Sequence, residues 1–401
     1  LLLILILIVV KMPAEHERVL TQKPNIQMGW TLVRLLAGAW RVVPPPLTLH
    51  PEAVRAATAA AIQGGCAGLV YWRLRRVPEY AAFAQKELRA EYIANGMRAA
   101  ALAHHLPRLW NALRDEGIEP LLFKGWAIAR QYPDVALRPM GDVDLFVPAA
   151  QLERARAIVI EMQMEAWSVD LHTKAQDARH AARVTGRTLA DLYARSEQVM
   201  LGATPVRVLS PEDHLHLLCL YFLRHGGWRP LWLCDIAVAL ETRPREFDWA
   251  RALGQGRTAD WITCALGAAH RLLDAPIEGM PNAARAQQLP TWFVNAILRE
   301  WADPAPARHI PPEPMRIVWR SPRRLARAAR ARWFNPIEAS VMVNAPCDET
   351  PRLWYQARYW LRQGLGFARR ARKKNPTNAS DFFIALHQRF FRFARFFRRF
   401  L

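Results

Sequence analysis

The sequence predicts an α+β fold, a small mixed sheet set between extensive helical regions. Apolar residues recur at three and four positions through most of 51–116 and again from about 176, which is helical spacing. Between these regions stand three short runs of strand character at 118–123, 142–147 and 166–173. The segments joining the runs have the crossover lengths that a small mixed sheet requires.

Taken in order, the chain opens on ten apolar residues before Lys11. They are too few to span a bilayer, which takes about 20, and no basic residue precedes them as in a signal peptide. Residues 1–11 are therefore read as an apolar leader arising at a gene boundary, with Met12 as the start; a truncated signal or anchor is the competing reading. A helical region over 12–84 leads into a core over 85–175. In that core "AAFAQKELRAEYIANGMRAAALAHHLPRLWNALRDEG" is helical and Gly117 stops it. "IEPLLF" is a strand, "WAIARQY" a short helix, "DVDLFV" the second strand, "AAQLERARAIVIEMQ" an amphipathic helix and "AWSVDLHT" the third strand.

A helical domain is expected over 176–300. One of its helices has Ser210 as N-cap, Pro211 in the first helical position and Gly226 at its end. Asp235, inside an apolar helix, is expected to pair with a neighbouring arginine such as Arg224 or Arg229. His214, His216 and His225 are spaced by two and nine residues rather than four, so they read as structural or surface groups, not zinc ligands. Residues 301–401 are expected to hold a Pro-rich linker and a basic extension.

The candidate chemistry lies in "LRPMGDVDLFV". Strand alternation turns Val143, Leu145 and Val147 to a core and leaves Asp142, Asp144 and Phe146 on the other face. Two like charges so close repel unless a cation lies between them, and carboxylate oxygens suit Mg²⁺. Upstream, "LLFKGW" places Lys124 and Gly125 at a strand-to-helix turn, where backbone amides approach phosphate and a helix N-terminus favours an anion. Arg138 is expected to grip a phosphate through two hydrogen bonds. Asp170, in the third run, is a third carboxylate. These are the parts of metal-assisted nucleotidyl transfer, in which two ions bracket the attacking and leaving oxygens.

The stretch "LLFKGWAIARQYPDVALRPMGDVDLFVPAAQLERA" resembles the uncharacterised nucleotidyltransferase family of the DNA polymerase β superfamily. The likeness extends more weakly from about Glu87 to about Leu272. It implies a polymerase β-like sheet, with Asp142, Asp144 and Asp170 as metal ligands and catalytic carboxylates. It also implies Lys124 and Gly125 at a nucleoside triphosphate, and Mg²⁺ or Mn²⁺ as cofactor. The implied activity moves a nucleoside monophosphate to an unidentified acceptor and releases pyrophosphate. His172 shares a strand face with Asp170 and is read either as orienting a carboxylate or contacting substrate, or as a hydrogen-bonded structural histidine. Trp126 stands where the wider superfamily has Gly or Ser, which keeps open a catalytically silent relative that binds a partner or membrane. A sugar-nucleotide glycosyltransferase using Asp-Val-Asp is disfavoured by the helical first 116 residues.

Charge is concentrated at the end of the chain. Residues 316–401 carry 20 Lys and Arg against four acids, +16 of the overall +20. If helical, 381–401 aligns Phe383, Leu386, Phe390, Phe393, Phe397 and Leu401 on one stripe flanked by arginines, a pattern that suits an anionic membrane surface. Nucleic-acid binding through "RRARKK" ranks below that, since nothing there organises base recognition. Five widely spaced cysteines give neither a disulfide framework nor a zinc site, and the expected location is cytoplasmic, at the inner face of a membrane.

Overall fold

The computed structural model describes residues 26–162, 168–173, 187–302 and 334–374, with side chains through 363. The apolar leader, the Pro-rich stretch beyond 302 and the 381–401 tail lie outside them. The chain runs α1 (Ile26–Leu36), α2 (Pro51–Gln63), α3 (Ala67–Leu74), α4 (Pro78–Glu87), α5 (Arg89–Asp115), β1 (Leu121–Phe123), α6 (Gly125–Ala129) and β2 (Asp142–Phe146). Next come α7 (Leu152–Glu161), β3 (Ser168–His172), α8 (Leu189–Arg195), β4 (Glu197–Leu201) and β5 (Thr204–Val208). The helices α9 (Pro211–Arg224), α10 (Pro230–Glu241), α11 (Trp249–Leu253), α12 (Gly256–Leu273), α13 (Ala283–Gln287) and α14 (Thr291–Trp301) follow. Beyond residue 333 lie α15 (Pro336–Met342) and α16 (Leu353–Lys374).

Helix starts follow local chemistry. Proline stands at the first helical position of α2, α4, α9, α10 and α15, where its missing N–H costs nothing. The Ser210 hydroxyl accepts from the Asp213 amide to cap α9, as the sequence predicts.

The sheet is mixed, as expected, and has five strands in the order β3-β2-β1-β5-β4. β1 pairs antiparallel with β2 and parallel with β5, while β2 pairs parallel with β3. The unbroken helical pattern expected from 176 is corrected here, because residues 197–208 form the hairpin β4–β5. Its connection is Gly202-Ala203, with Gly202 at φ 61°, the left-handed conformation that tight hairpin turns take from glycine. One sheet face, with Leu122, Val143, Leu145, Val206 and Val208, packs on Leu102, Leu106, Leu109 and Trp110 of α5 and Ile158 of α7. The opposite face carries Phe123 and Phe146 toward Leu192 of α8 and Leu217 of α9.

A separate, larger core joins α1–α4 to α9, α10, α12 and α14. The segment before α16 is held to this bundle by Trp261 Nε1, which donates to the Ala345 carbonyl at 2.8 Å, and Trp292 Nε1, which donates to the Asp348 carbonyl at 2.7 Å. All five cysteines are buried. Among the described residues no helix is long and apolar enough to cross a membrane.

Sheet and bundle are tied by a buried ion pair. Asp235 of α10, fully buried, accepts from Arg138 Nε at 2.9 Å and Nη2 at 3.0 Å, and from the Tyr132 hydroxyl at 2.9 Å. The ion pair expected of Asp235 exists, but its partner is Arg138 rather than Arg224 or Arg229. Removing one member of such a pair strands the other charge. Asp235→Ala should therefore cost about 3–5 kcal/mol in urea unfolding, and Arg138→Met combined with Asp235→Leu should cost less than the single change.

Candidate active site

The site grows from the alternation of β2. Asp142, Asp144 and Phe146 share the face away from α5, and the parallel register sets Asp170 beside Asp144 and His172 beside Phe146. The antiparallel register brings Phe123 beside Asp144. Phe123 and Phe146 stack with ring centroids 4.0 Å apart, and His172 stands edge-on to them at 5.2 and 5.9 Å. The phenyl rings form a floor that orients the imidazole.

Asp144 is the buried acid, at 3% exposure. Its Oδ1 receives Lys124 Nζ at 3.1 Å and lies 3.0 Å from His172 Nε2. Burial alone would raise its pKa; the hydrogen bond from His172 and the Lys124 charge outweigh burial and hold the carboxyl below its ordinary range. Asp170 is exposed, and the Ser168 hydroxyl donates to it at 3.4 Å. One ligand atom each from Asp144, Asp170 and His172 fall within 4.8 Å of one another, a spacing at which they could hold a metal ion. Asp142, exposed at the head of β2, stands outside that group. Desolvation by its surroundings and the Asp144 charge raise its pKa, against the pull of Lys124.

The turn before α6 is conformationally demanding. Lys124 has φ 53° and ψ −145°, followed by Gly125 at φ 35°. A Cβ on Gly125 would sit 3.3 Å from the Asp142 carbonyl oxygen, so glycine lets the turn abut β2. The turn is pinned by His214 of α9, whose Nε2 accepts the Lys124 amide at 3.2 Å. That contact fixes Nε2 as the acceptor and puts the imidazole proton on Nδ1.

The structure thus brings Lys124, Asp144, Asp170 and His172 together on the expected face, with Asp142 two residues back. Arg138, expected at phosphate, is instead buried, and its guanidinium is engaged by Asp235. The expected helix N-terminus is short: α6 has five residues, and the Lys124 amide is taken by His214. Trp126 is buried among the residues between the sheet and α5 and enters that core. Two neighbours were missed from sequence. One is His214, which no spacing linked to Lys124. The other is Tyr221, whose ring centroid lies 4.2 Å from Lys124 Nζ.

A family model described as an uncharacterised nucleotidyltransferase matches residues 50–274, just over half of the chain. The match runs from the N-cap of α2 to the C-cap of α12 and includes every residue of the site. No curated protein and no solved structure matches the chain.

Burial pushes His214 from 6.5 down to about 3 and His216, whose Nδ1 donates to the Ala252 carbonyl, down to about 4. Each is neutral in the fold but takes a proton in the unfolded chain below its ordinary value. Their contribution to stability is therefore complete above pH 6.5 and declines as the pH falls toward 4 and then 3, by up to about 1.4 kcal/mol per unit for each. Denaturant unfolding of wild type and His214→Gln at pH 7, 6, 5 and 4 should show the gap between them narrowing at that rate below 6.5. A constant gap would mean that the imidazole is not held neutral.

Proposed function

The chain belongs to the uncharacterised nucleotidyltransferase family, and from that membership we propose that it moves a nucleoside monophosphate from a nucleoside triphosphate to an acceptor hydroxyl, releasing pyrophosphate. The observation that carries this reading is the cross-strand group of Asp144, Asp170 and His172 beside the Lys124 ammonium. Paired acids alone fit many roles. A partly buried lysine contacting the same carboxylate adds the positive charge that a polyphosphate requires.

The donor set suits a divalent cation such as Mg²⁺ or Mn²⁺: two carboxylates and one imidazole reach one point, with Asp142 a further carboxylate on the same face. Lys124 and His172 both meet Asp144 at Oδ1. A bound cation would supply positive charge against the triphosphate. Lys124 Nζ would exchange its contact with Asp144 for one with the departing pyrophosphate. Asp170, the exposed acid, would take the proton of the acceptor hydroxyl as that oxygen attacks the α-phosphorus in line and the bond to pyrophosphate breaks. The Lys124–Gly125 turn, held by His214, would fix where the phosphates lie relative to β2. The basic segment 381–401 would hold the protein at an anionic membrane surface, a reading supported by its Phe and Arg pattern.

Calorimetric titration with ATP, GTP, CTP and UTP, with and without Mg²⁺, tests the core of this reading. At least one nucleotide should bind in a metal-dependent manner, and Asp144→Asn should weaken it by roughly ten- to hundredfold. Asp170→Asn, at an exposed position where folding is not at stake, should do the same. A folded protein that binds none of the four would overturn the proposal and favour a partner-binding relative without catalysis.

A further inference from the structure

We infer that Cys264 of α12 and Cys347, in the segment between α15 and α16, are a disulfide site that clamps the C-terminal helix pair to the bundle when the protein is oxidised. Cysteine spacing gives no sign of it, because the two residues are 83 positions apart and only the fold brings them together. The inference stands apart from the nucleotidyl-transfer reading and concerns residues that reading does not use.

Geometry is the first argument. The two thiols are in contact, with their sulfurs 2.7 Å apart, so a side-chain adjustment brings them to a bond of about 2.05 Å without moving the backbone. Trp261 and Cys264 stand three residues apart on α12 and therefore share a face. Both meet the same segment: Trp261 Nε1 donates to the Ala345 carbonyl at 2.8 Å, and Cys264 meets Cys347 two residues on. Beyond Cys347, the Asp348 carbonyl accepts from Trp292 Nε1 at 2.7 Å and the Glu349 carboxylate accepts from the Thr291 amide at 2.9 Å. Arg352 Nη1 donates to the Pro346 carbonyl at 2.8 Å. Cys347 is thus held from both sides against Cys264.

Placement is the second. Cys66 and Cys234 are also neighbours, but both are fully buried inside the bundle. Cys347, at 6% exposure, lies at the bundle's edge beside the exposed Glu349 and Thr350. The helices α15 and α16 share a small core of their own, with Ala339, Val343, Ala345 and Tyr359, and a bond at Cys347 would join it covalently to the larger core. The oxidant is a low-molecular-weight disulfide. The Cys347 thiolate attacks one of its sulfurs and expels the other as a thiolate; the Cys264 thiolate then attacks the Cys347 sulfur of the mixed disulfide and expels the second. The protein loses two electrons and two protons, and the small disulfide leaves as two thiols. The hydrogen bond between the two thiols and burial both raise the Cys347 pKa, so the pair is protonated in the closed fold and exchange proceeds when the segment lifts from α12.

The test equilibrates the full chain either with oxidised glutathione in dilute urea, below the unfolding transition, or with a reducing agent, then denatures it and labels free thiols with a maleimide. The reduced protein should take five labels and the oxidised protein three, and an unreduced protease digest should yield a peptide joining Cys264 to Cys347. Closing a loop of 83 residues restricts the unfolded chain, so the oxidised protein should unfold at a higher urea concentration than the reduced one. Cys347→Ala should abolish that difference. The label count and the digest use wild type alone and decide the matter even if the variant does not fold. Five labels after oxidation, glutathione retained on Cys347 as a mixed disulfide, or a crosslink confined to Cys66 and Cys234 would each overturn the inference.

Discussion

The site depends on one constraint: a carboxylate buried to 3% exposure must be paired. Desolvating such a group costs several kcal/mol, and attraction offsets that only where geometry is good and hydrogen bonds are made. Asp144 meets the condition with a lysine from the end of β1 and a histidine from β3, both on Oδ1. Three segments that are not neighbours in sequence are therefore bound to one atom. Shifting β2 by one residue would carry Asp144 into the apolar layer against α5, so the register is set by charge as well as by apolar pattern.

The same requirement recurs behind the strand. Arg138, four residues before β2, is anchored by Asp235 of α10, and His214 of α9 holds the turn that bears Lys124. The bundle thus fixes both chain segments that lead into the carboxylates. This explains why a three-residue β1 and a five-residue α6 suffice to place the ammonium: α9 supplies the rigidity that such short segments lack.

Local signals were legible in the sequence. Asp142 and Asp144 on one strand face, the Lys124–Gly125 turn, the stop at Gly117 and the Ser210 cap each depend on a few adjacent residues. Contacts between distant residues were not. Arg138 and Asp235 are 97 positions apart, and Lys124 and His214 are 90 apart, so no spacing rule joins them. The β4–β5 hairpin was hidden for a related reason. Its second strand carries Pro205 beside Val206 and Val208, and its place next to β1 is a parallel pairing across many intervening residues. Arg138 shows how an isolated motif misleads, because a guanidinium beside paired acids suits a phosphate until a buried carboxylate from another helix is seen to engage it.

Lys124 lies between a buried carboxylate and two aromatic rings, and its residue type follows from that position. Its ammonium is a compact charge with three donors, small enough to lie between Asp144 Oδ1 and the faces of Phe123 and Tyr221, with centroids at 4.9 and 4.2 Å. An arginine fork is planar and would have to choose between gripping the carboxylate in two places and stacking on a ring. A lysine can change its carboxylate contact while remaining over the tyrosine, because the ring attraction does not depend on the direction of any one N–H. The turn that lifts Lys124 into the left-handed region, at φ 53°, thus sets its side chain between the acid and the rings.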